Sequence, residues 1–160
     1  MWMNIWRKCV GMIEFESVFV DTAPYIYLLE RNDYFVDRTE SFIKYCILHQ
    51  KKMYTSVITI EEFSVGPYKE QDKKLLTDFH AFLKDTSTNV ISVDNEIADI
   101  AAQIRAKYQH FKAMDALQLA SAKLSCCDLF LTNDKQLKQY GELNIMTVDE
   151  VEYNSHMSSF

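Results

Sequence analysis

The chain has 160 residues, 48% of them hydrophobic, which predicts one domain with a substantial core. Its formal net charge of −6 excludes a general electrostatic pull toward nucleic acid, so any such binding needs a local basic patch. With 3 Gly and 2 Pro there is no flexible linker, and no apolar run approaches the length of a membrane span.

The first segment, Met1 to Gly11, holds Trp2, Trp6 and the pair Arg7-Lys8. A signal peptide puts charge first and a longer apolar stretch after it, which this segment does not do. It reads as an extension before a start at Met12, or as a short docking helix. Residues 1–16 are taken as an N-terminal extension.

Ser17 to Val20 reads as a short buried strand ending at Asp21. A helix follows over Ala23–Glu30, with Thr22 as a possible cap and Pro24 in its first turn. Phe35, Phe42, Ile43, Cys46 and Ile47 recur at helical spacing and predict a helix from about Tyr34 to His49. Met53 to Ser56 is a strand. A brief helix over Thr59–Val65 carries Glu61 and Glu62 and ends at Gly66-Pro67. Glu70 to Lys84 is amphipathic, with Leu75, Leu76, Phe79, Phe82 and Leu83 as its apolar stripe.

Val90 to Val93 is the next strand, and Asp94 caps a helix with Ile97, Ala101 and Ile104 on one side. Met114 to Leu124 is a helix with Asp115 at its start. Leu129 to Thr132 is a strand leading into Asn133-Asp134, Lys135 to Tyr140 a helical turn, and Asn144 to Val148 a last strand. Strands alternating with helices predict an α/β fold, a three-layer α/β/α sandwich with a mostly parallel central sheet. The domain is bounded at 17–150, and 151–160 reads as a polar tail.

The cysteines at 9, 46, 126 and 127 form no C-x-x-C pair, which argues against zinc and for buried free thiols in a reducing cytoplasm. His49, His80, His110 and His156 share no metal-ligand spacing.

Asp21, Glu62, Asp115 and Asp134 stand where strands run out or helices begin. Carboxyl ends of parallel strands open into the crevice where ligands bind, and carboxylates gathered there repel one another unless a cation joins them. The simplest reading is a divalent-metal site. Taken singly, Asp21 or Asp115 can be a helix cap, Glu62 a surface residue and Asp134 part of a turn.

Four pieces carry a family resemblance: Val18-Phe19-Val20-Asp21-Thr22, Ser56 to Phe63, Asp115 to Ala122, and Leu131-Thr132-Asn133-Asp134. Together, over about Ser17 to Val148, the chain resembles a PIN-domain ribonuclease of the VapC-like type. The resemblance implies a Mg²⁺- or Mn²⁺-dependent endoribonuclease with an acidic metal pocket. Asp21 and Asp115 would hold the principal metal, and Glu62 and Asp134 would position a second metal or a metal-bound water. The family spacing selects Glu62 over Glu61, and neighbours on a helix do not share a face. Thr132 and Asn133 would support the pocket or orient substrate. The implied partners are an RNA substrate, an antitoxin protein and a second copy in a homodimer, with no membrane.

RNA contacts would come from Lys52, Lys69, Lys73, Arg105, Lys107, Lys112 and Lys135. Leu28 and Leu29 read as core, whereas Tyr25 and Tyr27 are open between core and a partner groove. A housekeeping RNA-processing nuclease and a catalytically inactive PIN-like scaffold are the alternatives. A receiver domain would add a second acid beside Asp21, and an Asp-nucleophile phosphohydrolase would carry Asp at position 23, which is Ala.

Overall fold

The computed structural model describes residues 14–152. The readings made for Met1 to Gly11, Cys9 and His156 lie outside them, as does most of the tail. Five strands, β1 (Ser17–Val20), β2 (Lys52–Ser56), β3 (Asn89–Ile91), β4 (Leu129–Thr132) and β5 (Asn144–Thr147), form one sheet in the order β3-β2-β1-β4-β5. Every pairing is parallel. Among the described residues six α-helices accompany them: α1 (Thr22–Leu29), α2 (Val36–Leu48), α3 (Val57–Glu70), α4 (Lys73–Asp85), α5 (Asn95–Lys107) and α6 (Ala113–Leu124). Short 3₁₀ turns occupy Lys135–Gln139 and Val148–Glu150.

Alternation along the strands builds two cores, one on each face of the sheet. Val18 and Val20 of β1 and Leu129 and Leu131 of β4 face one way, into a core shared with Tyr25, Phe42, Phe63 and Phe79. Phe19 and Phe130 face the other way and stack at 5.3 Å, against Ile97, Ile104 and Leu119 of α5 and α6. Burial on both faces explains why the central strands read as continuous apolar runs. The result is the predicted three-layer α/β/α sandwich.

The packed unit is slightly wider than 17–150. Phe15 is buried and stacks on Phe42 at 5.8 Å. Val151 is also buried, and its carbonyl accepts a hydrogen bond from Arg38. An apolar side chain within reach of the core buries itself whatever the polarity of its neighbours.

Two further features have local causes. Of the two caps read for α1, Thr22 and Asp21, it is Asp21 that serves, accepting from the Thr22 N–H at 2.8 Å. Helix α3 runs through Gly66-Pro67 to Glu70 instead of stopping there. Proline removes one helical N–H and crowds the carbonyl one turn back, a cost the helix bears here with Pro67 buried. The stop comes at Gln71, which turns left-handed with φ 58°. That conformation disfavours a side chain with a Cβ. Gln71→Gly is therefore expected to stabilise the fold by about 0.5–1 kcal/mol, read as a higher melting temperature.

Burial pushes the Cys46 and Cys127 thiols up to about 12, the state of inert core cysteines. Cys126 differs from the sequence reading: it is exposed.

Candidate functional site

From β1 the chain builds the sheet outward through β2 and β3, then returns to place β4 on the other side of β1. The switch between these directions lies at the β1/β4 pair, and ligand crevices open outside the carboxyl ends of strands at such points. Val20 and Leu131 are register partners there, so Asp21 and Thr132 emerge side by side. The Asp21 N–H still bonds the Leu131 carbonyl at 2.9 Å.

Asp21 is held from several sides. Its Oδ1 accepts from the Thr22 N–H at 2.8 Å and from Gln118 Nε2 at 3.3 Å, and its Oδ2 accepts from the Thr132 hydroxyl at 2.8 Å. Burial pushes its carboxyl up to about 6. Hydrogen bonds from Thr132 and Thr22 oppose the shift, and the nearby charges of Glu62 and Asp115 add to it.

Glu62, in the second turn of α3, accepts from the Thr22 hydroxyl on Oε2, whereas Glu61 is exposed. Asp115, the third residue of α6, accepts from the Lys112 N–H on Oδ2 at 3.3 Å. Burial raises its pKa; the Lys112 hydrogen bond opposes this, and the charge of Asp134 adds to it. Asp134 caps the 3₁₀ turn through Oδ1, which accepts from the Gln136 N–H at 2.8 Å. All four acids thus belong to one electrostatic neighbourhood at the carboxyl end of the sheet.

Thr132 and Asn133 join this edge differently. The Thr132 hydroxyl donates to Asp21 and accepts from the Asp134 N–H at 3.1 Å, tying the two acids together. Asn133 turns its Nδ2 to the Tyr27 hydroxyl at 2.8 Å, and its buried Oδ1 has no hydrogen-bond partner among the described residues.

Oxygen donors of this kind suit a hard divalent cation such as Mg²⁺ or Mn²⁺. Among the described residues no three His, Cys, Asp or Glu side chains form a ready-made cage. The donor set therefore fits an ion that takes one or two carboxylates and keeps several waters, not one wrapped by protein.

The PIN domain family model matches residues 18–143. The chain belongs to the PIN-domain family. Solved structures share this PIN fold. VapBC2 from Rickettsia felis bound to a promoter DNA fragment superposes with a TM-score of 0.67 at 14% identity, over 82% of this chain and 98% of that one. A toxin–antitoxin complex from Klebsiella pneumoniae gives 0.62 at 23% identity, over 82% and 97%. VapC20 from Mycobacterium tuberculosis, described as a sarcin–ricin loop cleaving toxin, gives 0.62 at 16%, over 78% and 95%. No curated protein matches the sequence.

The sequence reading missed the polar layer beneath the PIN acids. Ser56, Thr59 and Gln118 are all fully buried and hydrogen-bonded to one another or to Thr22. The available signal was Gln118 interrupting the apolar run Ala116-Leu117 and Leu119-Ala120. Among the basic candidates, Lys112 lies beside Asp115, whereas Lys52 pairs in register with Ser17 at the amino end of the sheet, away from the acids. Lys135 is engaged with Asp149 at 2.9 Å. Of the open aromatics, Tyr25 is core, edge-on to Phe79, and Tyr27 is half-buried against Phe35. His49, His80 and His110 are exposed. No helix among the described residues is long and apolar enough to cross a membrane.

The acid cluster has a consequence for stability. Asp21 titrates near 6 when folded and near 3.9 when unfolded. Its favourable contribution is complete below about pH 4 and is lost as pH rises through about 6, on the order of 2–3 kcal/mol. Thermal melting in EDTA is expected to show that loss between these values, and Asp21→Asn is expected to remove much of it.

Proposed function

We propose that this PIN domain is a Mg²⁺- or Mn²⁺-dependent endoribonuclease that hydrolyses RNA phosphodiester bonds, acting as the toxin of a toxin–antitoxin pair. The nuclease reading is supported by Asp21 at the β1/β4 switch point, its carboxyl pushed up to about 6 chiefly by burial and further by the charges of Glu62 and Asp115, with Asp134 in turn acting on Asp115.

Asp21 and Asp115 would hold the principal ion, with Glu62 and Asp134 serving a second ion or the attacking water. A bound divalent cation supplies Lewis-acid stabilisation of phosphoryl charge and lowers the pKa of water. The protein's own part is orientation. Thr132 fixes Asp21 Oδ2, Thr22 holds Glu62 Oε2, and the Lys112 N–H holds Asp115 Oδ2, so each carboxylate is aimed before substrate arrives. Lys112, with Arg105 and Lys107 in the last turn of α5 shortly before it in sequence, supplies positive charge for the RNA backbone on a chain of net charge −6.

Purified protein is expected to cut RNA with Mg²⁺ or Mn²⁺, to stop in EDTA, and to lose activity in Asp21→Asn and Asp115→Asn. Equal cleavage by all three proteins would overturn the mechanism. The toxin assignment draws on the structural neighbours that are described as toxin–antitoxin complexes. It predicts growth arrest on expression, relieved by Asp21→Asn and by a co-expressed small DNA-binding protein encoded next door. Cleavage without arrest would favour housekeeping RNA processing.

A further inference from the structure

Gln118 lies one helical turn after Asp115, on the same face of α6. It is 1% exposed, buried beside Ala116, Leu119, Ala120, Ser121 and Ala122 of the same helix. A leucine would fill that place with no polar group to satisfy, whereas a buried amide must find partners for two N–H groups and a carbonyl. Gln118 finds all of them. Its Oε1 accepts from the Ser56 hydroxyl. Its Nε2 lies 2.7 Å from Thr59 Oγ1, 3.3 Å from Asp21 Oδ1 and 3.5 Å from Thr22 Oγ1. The opposite amide orientation would aim Oε1 at the Asp21 carboxylate, so the network allows one direction only.

The hydroxyls extend this polarity. Thr22 has one hydroxyl proton, and Glu62 Oε2 takes it. Thr59 Oγ1 accepts from Gln118 at 2.7 Å and lies 3.3 Å from the Thr22 hydroxyl. The amide therefore reaches Asp21 directly and Glu62 through the Thr22 hydroxyl, with Thr59 beside it, from the helix that carries Asp115. One side chain ties together the elements that present three of the four acids.

We infer that Gln118 is a positioning residue for the acidic pocket, setting the orientation of Asp21 and Glu62 and thereby the affinity of the site for a divalent cation. This rests on the metal-dependent nuclease reading. Supporting groups around a metal site typically contribute 10–100-fold in affinity or activity.

The test uses Gln118→Met, which keeps length and bulk but removes the amide, and Thr59→Val, which removes the amide's shortest hydrogen bond and leaves the amide and the four acids in place. Mn²⁺ binding is titrated by electron paramagnetic resonance without RNA, beside thermal melting and steady-state RNA cleavage. The Mn²⁺ dissociation constant is expected to rise about 10–100-fold in Gln118→Met and less in Thr59→Val. Melting temperature should not fall in step, and kcat should drop with KM for RNA unchanged. A folded Gln118→Met protein that binds Mn²⁺ as tightly as wild type overturns the inference. If that variant does not fold, Thr59→Val decides in the same way, weaker binding supporting the inference and equal binding overturning it. Wild-type protein that neither binds Mn²⁺ nor cuts RNA removes the nuclease reading and this inference together. Variants indistinguishable from an active wild type remove only the inference.

Discussion

Asp21→Asn is expected to abolish RNA cleavage while raising the stability of the metal-free protein at neutral pH. The two effects share one cause. In the native protein the Asp21 carboxyl is buried and lies near Glu62 and Asp115, which together push it up to about 6. At pH 7.5 it is ionised at the expense of the fold, and Asn removes that charge. Asn also caps a helix as well as Asp does, so α1 keeps its bond to the Thr22 N–H. Relief of the order of 2–3 kcal/mol corresponds to roughly 4–10 °C in melting temperature for a chain of this size. Cleavage should fall by more than about 100-fold, beyond the usual effect of supporting residues. Melting in EDTA at pH 7.5 and again near pH 4 checks the sign, since the gain should vanish where the carboxyl is protonated in both states. A variant less stable than wild type at pH 7.5 would show that the hydrogen bonds from Thr132 and Thr22 outweigh burial.

Phe79→Ala should give the largest loss of stability, about 3–5 kcal/mol. Phe79 on α4 is fully buried, stacked on Phe63 at 4.0 Å and edge-on to Tyr25 at 5.8 Å. It thereby pins α4 to α3 and α1. Phe63 follows Glu62, and Tyr25 lies one helical turn after Thr22, so the cavity would also loosen the Thr22–Glu62 pair. Urea denaturation should show the lower midpoint, with cleavage reduced at temperatures where the protein is still folded. A loss below about 1 kcal/mol would mean that the core collapses around the gap, as sites able to relax do.

Local pattern and shared family pieces make part of this site legible in the sequence. Asp21 and Asp134 follow short apolar runs, and such runs end at the sheet edge in a parallel α/β fold. The choice of Glu62 over Glu61 came from family spacing, and the hydrogen bond to Thr22 gives it a physical reason. What local pattern does not carry is strand order. Lys52 looks like a rim lysine until the register with Ser17 puts it at the opposite end of the sheet. Gln118 looks like an interruption of an apolar helix until Ser56, Thr59 and Asp21 are seen around it. Pro67 reads as a stop because its local cost is large, but it falls in the last part of α3, with the left-handed Gln71 available to end the helix later. Polar contacts between residues far apart in the chain, such as the 97 positions between Asp21 and Gln118, come only from tertiary packing.

Anomalous diffraction at the manganese edge, from crystals of the wild-type PIN domain soaked in Mn²⁺ and from Asp21→Asn crystals treated alike, tests the central claim most directly. The predicted result is a peak within coordinating distance of Asp21 and Asp115 in the wild type and its loss in the variant. Mn²⁺ seated away from all four acids, in a protein that still cuts RNA, would contradict it.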